Sequence, residues 1–415
     1  MSDPFFASRF VAAPSHLLET GATPGGFRLA GVSCGVKQAD SSSRLDVGLV
    51  VSDGEGTVSA ARFCDSGVLA APVVVTRERC DLHSIRAVVA NSGNANAATG
   101  EAGIEQAVLV QEAAANALGL SPREVAVAST GVIGVQLPGE RIAAALPQLV
   151  DALSPDGAGD FAEAIKTTDA LDKRASLTVT LPSGNVTLSA QAKGAGMISP
   201  NFATMLCFVQ TDAALPPVLA DALLGAAVRR SFDRISVDGQ LSTNDTVILM
   251  ASGASGVHVE PGSADELPFA QALDALLRQL AILIVADGEG ARRIARVHVS
   301  GAGDETVSRV ARAVANSPLV KAALFGGDAN WGRIAQAIGA ALPGTAPLEF
   351  EIAIEGITVA RAGAGVGFDA VALGQAVAGE EVLYEIALPG EGAEAELLFS
   401  DLSYDYVKIN AEYTT

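Results

Sequence analysis

The chain has 415 residues, which is enough for about two or three domains of roughly 100–200 residues each. Hydrophobic residues make up 49% and charged residues 18%, a composition typical of a globular protein and not of a disordered one. The formal net charge of −20, without any basic run longer than an arginine pair, argues against partners such as nucleic acid or an anionic membrane surface.

Membrane, metal and redox signals are weak in this sequence. The N-terminal residues lack the basic and apolar regions of a signal peptide, and the apolar run at 280–286 is far shorter than the roughly 20 residues of a membrane span. We therefore expect a cytoplasmic protein. The four cysteines form no C-x-x-C pair and the four histidines form no metal motif, so we expect reduced thiols, no metal and no bound cofactor.

In the first half of the chain, strand-like segments alternate with Ala-rich helical ones. Segments 45–51 and 57–63 flank a Gly-rich turn and predict a hairpin. The apolar run 87–90 is expected to end in a loop at 91–94. A helix is predicted over 101–118, with Ile104 and Val108 on one face and a stop at Gly119, followed by a strand over 124–128.

The second half continues this alternation without a clean βαβ repeat. A continuous apolar run at 205–209 is typical of a buried strand. The other predicted elements are helices at 217–231, 267–281 and 307–316 and strands at 234–238, 246–251, 348–354, 381–388 and 395–399. The order indicates an α/β protein with several sheets and not a doubly wound sheet.

The most informative segment is 192–206, in which two glycines and a proline precede Thr204. This composition predicts a tight, strained turn that leads into the buried strand. From the local sequence alone, Thr204 is better explained as the first residue of a strand, where threonine is common.

A threonine in this position also has a chemical use. Its hydroxyl is a weak nucleophile that needs a base. If the Ala203–Thr204 bond is cut, the new α-amino group, with a pKa of about 7.7–8.0, can act as that base near neutral pH. The cut would proceed by attack of Thr204 Oγ on the Ala203 carbonyl and hydrolysis of the resulting ester.

A second segment, 128–134, is a strand that ends in Ser129-Thr130-Gly131. The Thr130 hydroxyl and the Gly131 N–H can both point at one place, which is what an oxyanion hole requires. From the local sequence alone, a strand-to-loop turn stabilised by a threonine cap is the better interpretation of these residues. Other polar groups, at Lys193, at 287–290, at 330–333 and at 409–415, are each typical of solvated loops when considered singly.

Together, however, these motifs closely resemble those of the ornithine acetyltransferase family, the bifunctional arginine-biosynthesis proteins. The resemblance is carried, in the family's order and over nearly the whole chain, by segments 31–37, 91–100, 129–134, 193–206, 242–246, 287–291, 316–321, 330–333 and 410–415. It implies an α/β ornithine-acetyltransferase/DmpA-like fold with pairs of sheets sandwiched by helices. It also implies self-cleavage into an α chain (1–203) and a β chain (204–415), the latter including a C-terminal subdomain at about 300–415.

The resemblance further implies ping-pong transfer of acetyl from N-acetylornithine to glutamate through an acetyl-Thr204 enzyme. Thr130 and Gly131 match the family's oxyanion-stabilising pair. The positions that match substrate contacts are Thr167, Lys193, Thr204, Glu289, Asn410 and Thr415. Two α and two β chains are expected to form a heterotetramer. The motifs leave open whether acetyl-CoA is a second donor.

Two alternatives remain at the level of sequence. A self-cleaving aminopeptidase or amidase of related fold would share the cut but pass its acyl group to water. A nucleotide-binding or purely structural protein would never cleave. The Gly-rich stretch 363–367 is a weak signal for that second alternative, because it lacks G-x-G-x-x-G spacing and a helix pattern after it.

Overall fold

A computed structural model describes residues 5–37, 44–199, 205–390 and 392–412. The strands are β1 (Leu17–Glu19), β2 (Phe27–Val32), β3 (Val47–Ser52), β4 (Val58–Phe63), β5 (Ala87–Asn94), β6 (Val125–Val132), β7 (Lys173–Leu181), β8 (Gly184–Lys193), β9 (Leu206–Thr211), β10 (Ile235–Ser236), β11 (Thr246–Ala251), β12 (Ile294–Ser300), β13 (Glu351–Ile354), β14 (Ile357–Arg361), β15 (Ala364–Gly365), β16 (Glu381–Ala387) and β17 (Glu394–Ser400). The α-helices are α1 (Ala71–Arg79), α2 (Gly100–Leu118), α3 (Gly139–Asp151), α4 (Ala158–Ile165), α5 (Pro217–Arg230), α6 (Glu266–Ala286), α7 (Asp304–Ala315), α8 (Pro318–Phe325), α9 (Trp331–Ala341), α10 (Ala370–Ala376) and α11 (Tyr404–Glu412).

Two sheets face each other in the N-terminal part of the fold. One has the order β1-β7-β8-β9-β11-β4 and the other the order β2-β3-β5-β6. The position of strand β9 explains the continuous apolar run at 206–209. Leu206 and Phe208 point into the core between the two sheets, whereas Cys207 and Val209 belong to the core against α5 and α6. A strand that is buried on both faces has no polar side to alternate.

Helices cover the outer faces of this pair of sheets. Helices α5 and α6 pack on the six-stranded sheet, and α1, α2 and α3 pack on the four-stranded sheet. Helix α2 ends as predicted because Gly119 adopts φ +68° and its N–H caps the carbonyl of Ala115. The predicted α/β fold, with a pair of sheets sandwiched by helices, is thereby confirmed.

Helix α6 is a core helix. By length and composition alone it could cross a membrane, yet 67% of its apolar window is buried inside the fold. Its residues pack under the six-stranded sheet beside α5. The helix carries the chain directly to the polar loop at 287–290.

The predicted hairpin at 45–63 is wrong. The turn itself forms, with the Thr57 N–H donating to the Gly54 carbonyl at 3.2 Å. Its two strands, however, join different sheets, because β3 pairs with β2 and β5 while β4 pairs with β11. The connection therefore crosses from one layer of the sandwich to the other, and each strand pairs with strands of its own sheet.

A seven-stranded sheet of order β10-β17-β12-β16-β13-β14-β15 forms the remainder of the fold with α7, α8 and α9 around its own core. The stretch 363–367 lies at the β14–β15 pairing, so it is the return of a hairpin and not a phosphate loop at the start of a helix. Strand β10 precedes α6 in the chain and pairs in parallel with β17. This pairing connects the seven-stranded sheet to the N-terminal pair of sheets.

Candidate functional site

Lys193 is the last residue of β8 and lies inside the protein with 2% of its surface exposed. Strand β8 is an inner strand of the six-stranded sheet, between β7 and β9. A buried ammonium requires polar partners. Its Nζ donates to Thr167 Oγ1 at 2.8 Å and to Thr130 Oγ1 at 3.2 Å, which brings three of the predicted residues together.

Thr130 and Gly131 lie at the carboxyl end of β6, beside the end of the parallel strand β5. The predicted loop at 91–94 is wrong, because β5 continues through these residues by pairing with β6. Gly131 has φ +132°, and a Cβ there would lie 2.4 Å from the carbonyl carbon of Gly93. The close approach of the two strands therefore requires glycine at position 131.

A network of buried amides fixes the backbone next to Thr130. Asn244 Nδ2 donates to the carbonyls of Ser129 at 2.8 Å and Ala95 at 2.6 Å. The Ser129 hydroxyl donates to Asn91 Oδ1 at 2.6 Å. The sequence predicts no role for Asn91 or Asn244, although both lie in segments that resemble the family. Contacts from an amide to a distant backbone segment leave no local signal in a sequence.

Buried charges surround Lys193. Asp169 Oδ2 lies 3.8 Å from Lys193 Nζ, and its Oδ1 accepts a hydrogen bond from Lys173 Nζ at 2.7 Å. Lys173 also donates to Asp287. Burial alone would raise the pKa of Asp169, but the charges of Lys193 and Lys173 outweigh burial and hold that pKa well below its usual range. Burial lowers the pKa of Lys193, and the Asp169 charge opposes that shift.

The backbone is anchored on both sides of the expected cleavage site. Upstream, the N–H groups of Met197 and Ile198 donate to the Asp238 carboxylate at 2.8 and 2.9 Å, and Met197 adopts the left-handed φ of +55°. Downstream, the Met205 N–H donates to Asp245 Oδ1 at 2.9 Å. Met197 thus holds a strained backbone conformation upstream, whereas the part of the predicted turn directly before Thr204, with Ala203 and Thr204 themselves, lies outside the described residues.

Glu289 and Asn410 form a second contact near this segment. The Glu289 N–H donates to the Ala195 carbonyl at 2.9 Å, and Asn410 Nδ2 donates to Glu289 Oε2 at 2.7 Å. Gly196 lies against this carboxylate, since a Cβ there would be 2.8 Å from its oxygens. Asn410 is on helix α11, which the sequence analysis did not predict, and Thr415 lies outside the described residues.

The cysteine side chains are mostly buried in the core or partly buried beside it. Burial raises the pKa of Cys34, Cys64 and Cys80 to about 12, so these thiols stay protonated and poorly nucleophilic at neutral pH. All four cysteines are free thiols. Within the described residues, no group of three or more His, Cys, Asp or Glu side chains could hold a metal ion.

The hydroxyl groups of Thr130 and Thr167 and the buried Lys193 ammonium thus lie together. They meet where β6 and β8, strands of two facing sheets, end. Such an arrangement is suited to stabilise negative charge on a carbonyl oxygen, which is the common requirement of acyl-transfer enzymes.

Comparison with known proteins identifies the family of this chain. The chain is a member of the ArgJ family, whose model matches residues 28–415.

Curated relatives support this assignment over nearly full length. The arginine biosynthesis bifunctional protein ArgJ of Symbiobacterium thermophilum is 44% identical over 394 residues, which is 94% of this chain and 98% of the relative. The protein of the same name from Geobacter sulfurreducens is 45% identical over 395 residues, covering 94% of this chain and 99% of the relative. A solved ArgJ chain from Bacillus halodurans is 36% identical, covers 50% of this chain and 98% of its own length, and has a TM-score of 0.47. The family prediction made from the motifs is confirmed.

Proposed function

We propose that this protein is an ornithine acetyltransferase of arginine biosynthesis, which moves acetyl from N2-acetyl-L-ornithine to L-glutamate. Membership of the ArgJ family supports this activity, because the curated relatives are named as arginine-biosynthesis proteins. The observation that carries the proposal is the meeting of Thr130, Thr167 and the Lys193 ammonium beside a segment anchored on both sides of residues 203–204.

The first step of the proposed mechanism is self-cleavage. Thr204 Oγ attacks the Ala203 carbonyl carbon, the peptide C–N bond breaks, and the Ala203 acyl group passes to oxygen as an ester. Water then hydrolyses the ester and releases an α chain (1–203) and a β chain (204–415) that begins with Thr204. The Thr130 hydroxyl and the Gly131 N–H stabilise the oxyanion of each tetrahedral intermediate.

Acetyl transfer then reuses the same groups. The Thr204 α-amino group takes the proton from Oγ as Oγ attacks the acetyl carbon, and it returns the proton to the leaving amine of ornithine. The glutamate amine next attacks the acetyl ester, which forms N-acetylglutamate and restores the Thr204 hydroxyl.

Substrate recognition is proposed for Thr167, Lys193, Glu289, Asn410 and Thr415. The substrates carry carboxylate and ammonium groups, which pair with Lys193 and Glu289 in charge-assisted hydrogen bonds. Both groups lie at the segment 193–196, since Lys193 begins it and Glu289 contacts Ala195 and Gly196.

The mature enzyme is proposed to be a cytoplasmic heterotetramer of two α and two β chains that needs no cofactor. The curated relatives are called bifunctional, and a second activity with acetyl-CoA as the acetyl donor is part of the proposal. N-acetylglutamate made from acetyl-CoA and glutamate, in the absence of N-acetylornithine, would establish that second activity.

The test of the proposed function is glutamate-dependent release of ornithine, measured together with chain length on a denaturing gel. The parent protein is expected to be cut whether or not glutamate is present. It should release ornithine over many turnovers only when glutamate is present, and no more than one equivalent per active site without it, because the acetyl group then stays on Thr204. Thr204→Ala is expected to stay full length and inactive, because it lacks the attacking oxygen. Continued release of ornithine over many turnovers without glutamate would instead favour the aminopeptidase or amidase alternative, and a Thr204→Ala protein that is still cut would remove Thr204 from the mechanism.

A further inference from the structure

Four buried charges form a chain that begins at the candidate oxyanion site. Asp169 and Lys173 have fully buried side chains, and those of Lys193 and Asp287 are 3% and 5% exposed. The order of contact is Lys193, Asp169, Lys173 and Asp287, so cations and anions alternate and the chain is neutral overall. Removal of any one member leaves an uncompensated charge buried in the cluster.

Asp169 contacts Lys193 from two directions. Its Oδ1 accepts the N–H of Gly194 at 2.6 Å, which fixes the peptide that follows Lys193. Its Oδ2 accepts the N–H of Thr167 at 3.0 Å, and the Thr167 hydroxyl is the nearest acceptor of the Lys193 ammonium. One carboxylate therefore fixes the backbone of Lys193, positions its hydroxyl partner and supplies its counter-ion.

The charge of Lys193 decides how the Thr130 hydroxyl is used. A protonated ammonium has only donors, so Thr130 Oγ1 must accept from it and keeps its own hydrogen free to donate. A neutral amine has a lone pair and can accept the Thr130 hydrogen instead. In that case the hydroxyl would turn towards Lys193 and would no longer donate to a carbonyl oxygen in the oxyanion site.

We infer that Asp169 is a positioning residue, whose buried carboxylate keeps Lys193 charged and thereby directs the Thr130 hydroxyl hydrogen towards the reacting carbonyl. The inference rests on the proposed function, since it assigns Thr130 to the oxyanion. Asp169 does not touch substrate in this account and acts only through Lys193 and Thr167.

Other charged groups also face Lys193 and shift its pKa. Lys173 and Lys37 oppose its protonation, while Glu289 and Asp245 favour it, as Asp169 does. Asp169 is the largest single charge effect on Lys193 after burial. Loss of Asp169 thus lowers the pKa of Lys193 further, and loss of Lys173 raises it.

Self-cleavage is the reaction to measure, because the Thr204 α-amino group does not exist before the cut and cannot add its own titration. Asp169→Asn keeps the shape of the side chain and an acceptor for Gly194, but it removes the charge. We expect uncut Asp169→Asn protein to accumulate, with a cleavage rate near neutral pH reduced by roughly 10²-fold, the effect of one oxyanion donor. Intact mass spectra should show this rate recovering as the pH is lowered from about 9 to about 6, because acid restores the charge on Lys193.

Lys173→Met is the matched variant, because it breaks the same buried chain with the opposite effect on Lys193. Its cleavage should need no acid rescue, and its cleavage rate should persist to higher pH than that of the parent. A merely structural role would make the two variants fail alike and independently of pH, and that result would overturn the inference. If Asp169→Asn does not fold, as judged by its melting transition, an unshifted or downward-shifted pH profile of Lys173→Met would overturn it instead. Failure of the proposed function is separate, because it would appear as a parent protein that is never cut.

Discussion

The sharpest structural prediction concerns Gly131→Ala. At φ +132° the residue occupies backbone space that is almost closed to other amino acids, at a cost of about 1–3 kcal/mol. The added Cβ would lie 2.4 Å from the Gly93 carbonyl carbon and 2.5 Å from the Asn94 nitrogen, closer than the 3.0 Å that real Cβ atoms keep. Both contacts are to backbone, so the end of β6 must move away from β5 by about 0.6 Å or more.

This movement displaces the Thr130 hydroxyl and the Gly131 N–H together. Misplacement on the order of 1 Å costs about 10²-fold in rate, so we expect kcat for acetyl transfer to fall by about 10²-fold. Self-cleavage should slow in parallel, because it uses the same oxyanion site. The assays are steady-state transfer from N-acetylornithine to glutamate and the uncut fraction in intact mass spectra.

Gly134→Ala is the matched control for this change. Gly134 lies three residues further on with φ +80°, yet a Cβ there meets nothing within 4 Å. Both alanine variants should therefore lose stability from backbone strain, whereas only Gly131→Ala should lose rate. Equal kcat values for the two variants would refute the claim that the close approach of β5 and β6 places the oxyanion donors.

Two further predictions concern substrate binding and stability. Asn410→Ala should raise KM about fivefold with little change in kcat, because it removes the amide that donates to Glu289 Oε2 at 2.7 Å and lies outside the Lys193 cluster. Lys408 is exposed on the same helix, and Lys408→Ala should leave KM unchanged. An equal rise of KM in both variants would contradict the role of Asn410 in orienting Glu289. Lys321 is buried, and burial lowers its pKa from 10.5 to about 7. The unfolded chain thus binds more protons between those values, so stability should rise with pH across that window. Denaturant unfolding at about pH 7 and about pH 9 should show a smaller rise in the free energy of unfolding for Lys321→Met than for the parent. The same rise in the parent and the variant would rule out a contribution from Lys321.

Local signals predicted some elements closely. Helix α2 was placed well because an Ala-rich periodic segment ends at a glycine that can adopt a left-handed conformation. Strand β11 was predicted with the bounds that the structure has. In both cases the decisive information lies within the segment itself.

Long-range partners account for the errors. Segments 45–51 and 57–63 have the pattern of a hairpin, but each pairs with strands of a different sheet. Residues 91–94 are polar and Gly-containing, yet pairing with β6 keeps them in a strand. Propensity within a window cannot represent a partner from another part of the chain.

The candidate site shows the same division. Motifs found Thr130, Gly131, Thr167 and Lys193, and the structure brings these residues together. The charge chain through Asp169 was missed, because its members come from a loop, two strand ends and the loop after α6, and no spacing in the sequence joins them. Only the fold reveals that these charges are buried and adjacent.

The central claim is that Thr204 is released by self-cleavage and then carries the acetyl group. The most direct test is one denaturing intact-mass spectrum after brief incubation with N-acetylornithine and no acceptor. We predict two fragments that divide between Ala203 and Thr204, with only the second heavier by one acetyl group, and loss of that added mass once glutamate is supplied. A single unmodified chain of 415 residues would contradict the account.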